Sequence, residues 1–217
     1  MEQAINSVGE EVVLDSHHFS YWNVIRHASI HFTLSPQGSV PDFKIPDTEF
    51  RRLVAAGDID ALRTVDPEVL RASVVAYNDQ YNQGAMHVGA ASGSVPMLSL
   101  LLELGAKINK RDNCFWTPLH RACNDAQWEA ALFLVAHGAV VDACSDSDST
   151  PLIYVCQHPV TPLDWEEPRS VLEALINGGA NLMHRNQNGD CPLVRAIKAV
   201  QQTGCVFTVK WLIDHGG

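Results

Sequence analysis

The chain is short of positive charge, of long apolar runs and of any cysteine pairing pattern. Its 217 residues hold 15 Lys and Arg against 25 Asp and Glu, a net charge of −10. That balance weighs against a nucleic-acid binder, because phosphate contacts need clustered Lys and Arg. The longest strongly apolar run, "MLSLLLEL" at 97–104, is broken by Ser99 and Glu103 and falls far below the roughly 20 residues that cross a bilayer. No membrane-spanning helix is expected. The opening stretch "MEQAINSVGEE" carries three acids and no base, unlike a secretory signal or an Arg-rich transit peptide, so a cytoplasmic or nuclear location is expected. Six cysteines, at 114, 123, 144, 156, 191 and 205, include no CxxC pair. They suggest neither a disulfide framework nor a metal set, and reduced thiols are expected.

Signs of catalysis are also missing. There is no GxSxG, no phosphate-binding Gly loop and no recognisable Ser/Cys-His spacing, so no catalytic residue, cofactor or metal site is expected. His27 and His31 stand four apart, a ligand spacing on a helix, but no HExxH pattern accompanies them and the same segment also reads as a strand.

What the chain does have is a repeat. "GAMH" ends at His87, "TPLH" at His120 and "TPLI" at Ile153, each a step of 33; "CPLV" ends at Val194 after a step of 41. The ends of the units agree: "LLELGAKIN", "FLVAHGAVVD", "ALINGGANL" and "WLIDHGG" place Gly at 105, 138, 179 and 216. Pro is tolerated in the first turn of a helix and a preceding Thr caps its free donors, so "TP" opens a helix. Leu119, Ala122 and Cys123 then share one face, as do Ala131, Leu134 and Val135 in a second helix. One such pair cannot bury its apolar side. Stacking does, with small residues (Ala90, Cys123, Cys156) at the close helix contacts and Gly105, Gly138 and Gly179 ending the second helices in a left-handed conformation.

These units resemble the ankyrin repeat, whose signature is Thr-Pro-Leu-His-x-Ala at the start of a helix pair and Gly-Ala at its end. Residues 112–144 match almost throughout; 79–111 keep His87, Ala90, Gly93 and Gly105-Ala106 but have Gly84-Ala85 for Thr-Pro. The fourth unit keeps Thr150-Pro151-Leu152, and the fifth keeps Gly189 and Pro192-Leu193. "FRRLVAAGDIDALR" at 50–63 looks like a first unit that has the helices without the turn. The resemblance implies an all-α solenoid of about five helix-turn-helix units joined by projecting turns or β-hairpins. The units fall at about 46–78, 79–111, 112–144, 145–185 and 186–217, and residues 1–45 form an N-terminal extension or cap. In that extension, "WNVIRHASIHFTL" alternates in its second half as a strand does, though a helix stays open.

Departures from the pattern locate the candidate site. The turn position usually held by Gly carries Asn82, Phe115, Asp148 and Gly189. An aromatic there either folds onto the neighbouring turn, which takes another shape, or meets a partner. Trp116 follows, aligned with Gln83, Ser149 and Asp190, polar residues expected on an exposed finger. It either centres a partner surface or covers the irregularity at Phe115. The fourth unit is eight residues longer, its excess "CQHPVTPLDWEEP" lying between the helices as a non-helical loop whose Trp165 either plugs onto the stack or anchors a partner. Residues 112–168 hold nine acids against one base, Arg121, which either steer a basic partner or simply keep the surface solvated. The function expected is a non-enzymatic protein-interaction scaffold. Its candidate partner-binding residues are Tyr81, Gln83, Asn113, Phe115, Trp116, Asn124, Asp125, Asp146, Asp148, Ser149, His158 and Trp165. The alternative is an enzyme or small-ligand protein with a pocket where the N-terminal extension or the 157–168 loop meets the stack.

Overall fold

The computed structural model describes residues 3–5, 11–13, 45–204 and 206–216. Near the N-terminus β1 (Gln3–Ile5) and β2 (Glu11–Val13) pair antiparallel, with Ala4 opposite Val12. The strand or helix expected at 22–34 lies outside the described residues; of the expected packing of residues 1–45 on the first unit, the structure describes Ile45, which is buried.

From Ile45 onward the described residues are helices and turns. α1 (Asp47–Ala56) and α2 (Ile59–Arg63) form the first unit's pair, joined through Gly57 at φ 68°. Asp58 caps α2 by accepting the Ala61 N–H at 3.0 Å. A third helix, α3 (Pro67–Ala76), follows in the same unit, where the sequence pattern leads to a helix pair alone. Asp66 accepts the Glu68 N–H at 2.9 Å and Pro67 fills the first turn, a start signal of the usual kind. This helix buries Leu70, Ser73 and Val74. The Ser73 hydroxyl accepts the Ile45 N–H at 3.0 Å, and the Tyr77 ring just beyond the helix lies 5.0 Å from Phe50. Part of the covering of the first unit therefore comes from inside that unit.

Four pairs follow: α4 (Ala85–Ser92) with α5 (Val95–Glu103), α6 (Pro118–Asn124) with α7 (Trp128–Ala136), α8 (Pro151–Cys156) with α9 (Glu166–Asn177), and α10 (Pro192–Thr203) with α11 (Phe207–Asp214). The first helices α1, α4, α6, α8 and α10 pack in sequence, each on the next, and α5, α7 and α9 line up behind them. The result is an all-α solenoid of five units. Its core is a continuous column of Leu98, Leu101, Leu119, Leu134, Leu152, Leu172 and Leu175, with Ala90, Cys123 and Cys156 fully buried at the first-helix contacts. Each Leu withdrawn from water contributes about 2 kcal/mol, and no unit could collect that sum alone. Gly105, Gly138 and Gly179 follow the second helices at φ 91°, 87° and 93°, a region where a side chain would collide with the backbone.

The insertion in the fourth unit is only partly a loop. Gln157–Trp165 is non-helical, but Glu166, Glu167 and Pro168 already form the first turn of α9, where Pro costs nothing.

Candidate functional site

Four turns project between the units, and all four are built alike. In each a five-residue finger is closed by its first N–H donating to its fifth carbonyl: Asp79 to Gln83 at 3.1 Å, Asp112 to Trp116 at 2.9 Å, Ser145 to Ser149 at 3.0 Å and Asn186 to Asp190 at 3.1 Å. The first side chain braces the finger from within. Asp79 Oδ1 accepts the Tyr81 and Gln83 N–H groups, Asp112 Oδ1 those of Cys114 and Trp116, and Asn186 Oδ1 those of Asn188 and Asp190. The fourth residue is left-handed in every finger, with φ 60° at Asn82, 58° at Phe115, 59° at Asp148 and 76° at Gly189. The turn thus keeps its shape at Phe115, whose ring is 52% exposed beneath the Arg111 guanidinium at 5.9 Å. A non-glycine side chain in this region costs roughly 1–2 kcal/mol.

Successive fingers are laced together. Asn113 N–H donates to the Tyr81 carbonyl at 3.0 Å, Asp146 N–H to Cys114 at 2.9 Å and Gln187 N–H to Ser147 at 3.1 Å. Buried histidines add a second stitch. His87 Nδ1 accepts the Gly84 N–H at 3.1 Å, so its proton sits on Nε2 and is donated to the Trp116 carbonyl at 2.9 Å. His120 repeats this with Thr117 N–H and the Ser149 carbonyl, at 3.1 Å in both cases. Burial holds both imidazoles neutral: it lowers the pKa of His87 and brings that of His120 to about 4.

Between fingers and first helices runs a groove of about 830 Å³, lined among others by Arg51, Tyr81, Asn113, Trp116, Arg121 and Asp146. Trp116 sits half-buried within it. Its ring centroid lies 4.8 Å from that of Tyr154 in the next unit, and the Arg121 guanidinium stands 5.0 Å away over the indole, a favourable cation–π geometry. The sole base of the 112–168 segment is thereby held against the groove's largest aromatic. Tyr81, Asn113 and Asp146 are exposed beside it.

Two site residues lie elsewhere than expected. Gln83 and Ser149, like Asp190, are buried rather than exposed, because the fifth finger residue turns inward between neighbouring fingers. The Gln83 amide donates to Asp112 Oδ2 at 3.4 Å, and the Ser149 hydroxyl accepts from the Asn186 amide at 3.0 Å. Trp116 is likewise partly withdrawn from water by its contact with Tyr154. Asn124 and Asp125 end α6, where Asn124 donates to Asp125 at 2.8 Å and accepts from Gln157 at 3.0 Å. His158 binds the Cys123 carbonyl at 2.9 Å and sets its ring edge-on to Trp128. Asp148 is half-buried beside His184. Trp165 stacks on Phe207 with centroids 6.0 Å apart, away from the groove residues. Below it the loop turns tightly: Thr161 and Asp164 close on each other, Val160 is buried and Leu163 is 97% exposed. Cys123 and Cys156 have thiol pKa values pushed up by burial, which suits small core residues and not nucleophiles. Among the described residues no helix is long and apolar enough to cross a membrane.

Comparison with known proteins identifies the repeats at the centre of the chain. Residues 86–127 match the family model described as ankyrin repeats (many copies), and residues 114–146 match that of the ankyrin repeat. The chain carries ankyrin repeats over residues 86–146. It is similar to protein phosphatase 1 regulatory subunit 27 of Mus musculus, 35% identical over 99 residues, covering 43% of this chain and 64% of that one. The Homo sapiens counterpart is 40% identical over 67 residues, covering 31% and 44%. Ankyrin repeat domain-containing protein 37 of Bos taurus is 33% identical over 90 residues, covering 41% and 57%. The chain thus spans about half to two-thirds of the length of these relatives. The repeats, with relatives named as regulatory subunits, support a protein-interaction module.

Proposed function

We propose that the protein is a non-enzymatic binding module whose groove receives a basic, extended segment of a protein partner, with Trp116 at its centre. The observation that carries this reading is the groove itself, which runs across the fingers of three successive units and is lined by Tyr81, Asn113, Trp116 and Asp146. A large aromatic fixed in place by Arg121 and Tyr154 is a low-entropy anchor for another chain. Charge gives the partner its sign. Eight of the nine acids at 112–168 reach the surface at least partly, while Asp112 is spent bracing its own finger. Electrostatic steering by such a surface weakens as salt shortens the Debye length below about 8 Å.

Two of the relatives are named as regulatory subunits of protein phosphatase 1, so that phosphatase is the first defined partner to try, beside unbiased affinity purification. The association rate of whichever partner is captured should fall with rising salt and fall again in Asp146→Lys. An affinity indifferent to both would remove the basic-segment reading and leave the acids as a solvated face.

A further inference from the structure

Among the described residues, the forward histidine stitch is missing at one joint. His87 and His120 each reach the next finger, but the matching residue of the fourth unit is Ile153. At that joint the fold gathers three metal-binding side chains: Cys144 just before the fourth finger, Asp148 within it, and His184 just ahead of the next finger. The Cys144 sulfur lies 3.9 Å from His184 Nε2, Asp148 Oδ1 lies 3.7 Å from the same nitrogen, and the three ligand atoms fall within 4.8 Å of one another. All three residues are half-buried. Zinc bonds of about 2.3 Å to sulfur and 2.0–2.2 Å to nitrogen and oxygen place tetrahedral ligand atoms about 3.4–3.6 Å apart. A contraction of a few tenths of an ångström would bring both distances to His184 Nε2 into that range; the Cys144–Asp148 separation, within 4.8 Å, would close with them, and water would be the fourth ligand.

We propose that Cys144, Asp148 and His184 form a structural site for a thiophilic divalent cation, zinc by its ligand chemistry, which fastens the fourth finger to the fifth. The frame around it is already rigid, since Gln187 N–H donates to Ser147 and the Asn186 amide donates to Ser149 across the same joint. His184 Nε2 now faces the Asp148 carbonyl at 2.7 Å. Binding moves its proton to Nδ1, frees the Nε2 lone pair and gives up that hydrogen bond. The Cys144 thiol passes its proton to solvent and Asp148 binds as the carboxylate, so one proton leaves per ion. The dication is then neutralised by one thiolate and one carboxylate. In the metal-free protein burial raises the Cys144 pKa, Asp148 and Asp142 raise it further and Arg111 opposes them weakly. The charged and titratable groups facing the thiol are thus Asp142, Asp148, His184 and Arg111, and metal affinity grows as pH rises.

The test is a titration of chelator-treated, reduced protein with zinc, and with cobalt as a coloured substitute. One equivalent should bind, with a thiolate-to-cobalt charge-transfer absorption in the near ultraviolet. Cys144→Ser should abolish that absorption, and Cys144→Ser or His184→Gln should weaken zinc binding at least about tenfold while far-ultraviolet circular dichroism stays unchanged. Cys114→Ser and the double change His27→Ala with His31→Ala should bind as the parent does. Absence of the charge-transfer absorption, zinc affinity unchanged in Cys144→Ser, or loss of binding only in the His27/His31 variant would overturn the proposal.

Discussion

The third and fourth units open with the same tripeptide, Thr-Pro-Leu, and then build their joints in opposite directions. In the third, the Thr117 hydroxyl accepts the His120 N–H at 3.4 Å and His120 reaches forward to the Ser149 carbonyl. In the fourth, the Thr150 hydroxyl is buried with no partner among the described residues, and the Ile153 side chain has no group to donate forward. The joint is made backward, by His184 on the Asp148 carbonyl and Asn186 on the Ser149 hydroxyl. Repeat positions that follow the pattern hold the stack with their own chemistry; where they depart from it, the connection passes to residues of the next unit. The same contrast holds at the surface. Phe115 and Trp116 in one finger stand against Asp148 and Ser149 in the next, on nearly identical backbones.

The comparison breaks most visibly in the core. Leu119 and Leu152 occupy the same position in the two units and are both fully buried. Leu119→Ala and Leu152→Ala should each cost about 3–5 kcal/mol in urea denaturation. A cost confined to one of them would show that the units are not equivalent in packing either. The stitch gives the next largest effect. Above pH about 6.5 His120 is neutral both folded and unfolded; between 6.5 and about 4 only the unfolded chain takes up the proton, so stability declines as pH falls and levels off below. The full decline attributable to this group is on the order of 3 kcal/mol. His120→Gln should flatten that part of the pH–stability curve, and an unchanged slope would mean that the imidazole is not held neutral. Smallest is the strain at the third finger. Phe115→Gly should raise stability by about 0.5–1 kcal/mol as the left-handed strain is lifted, measured as a shift in Tm, and it should weaken partner binding. A loss of stability would instead make the exposed ring part of the fold.

What was legible in the sequence follows from the same division. Thr117-Pro118, Pro151 and Pro192 start helices, and Gly105, Gly138 and Gly179 end them, through local chemistry that reads directly from the chain. The left-handed position at Asn82, Asp148 and Gly189 reads the same way, whereas at Phe115 the sequence also allows a turn of another shape, which the structure replaces with the same left-handed one. α3 escaped because it has no counterpart in the other units, although Asp66-Pro67 carried an ordinary start signal. The inward turn of Gln83 and Ser149 depends on how two fingers abut, which no single unit encodes. The convergence of Cys144 and Asp148 on His184 crosses 36 residues or more and exists only after stacking.

The groove assignment rests on Trp116, which the structure gives two duties: packing on Tyr154 and facing the groove. Trp116→Ala should therefore lose about 1–2 kcal/mol of stability, more than a neutral surface change. The decisive measurement is the affinity of this variant for the captured partner, at a temperature where circular dichroism shows it folded, with Leu163→Ser on the distant loop as control. A loss of about 2 kcal/mol in binding, roughly 30-fold, is expected for Trp116→Ala and none for Leu163→Ser. Affinity retained by folded Trp116→Ala would assign the indole to the stack alone and contradict the groove as the partner site.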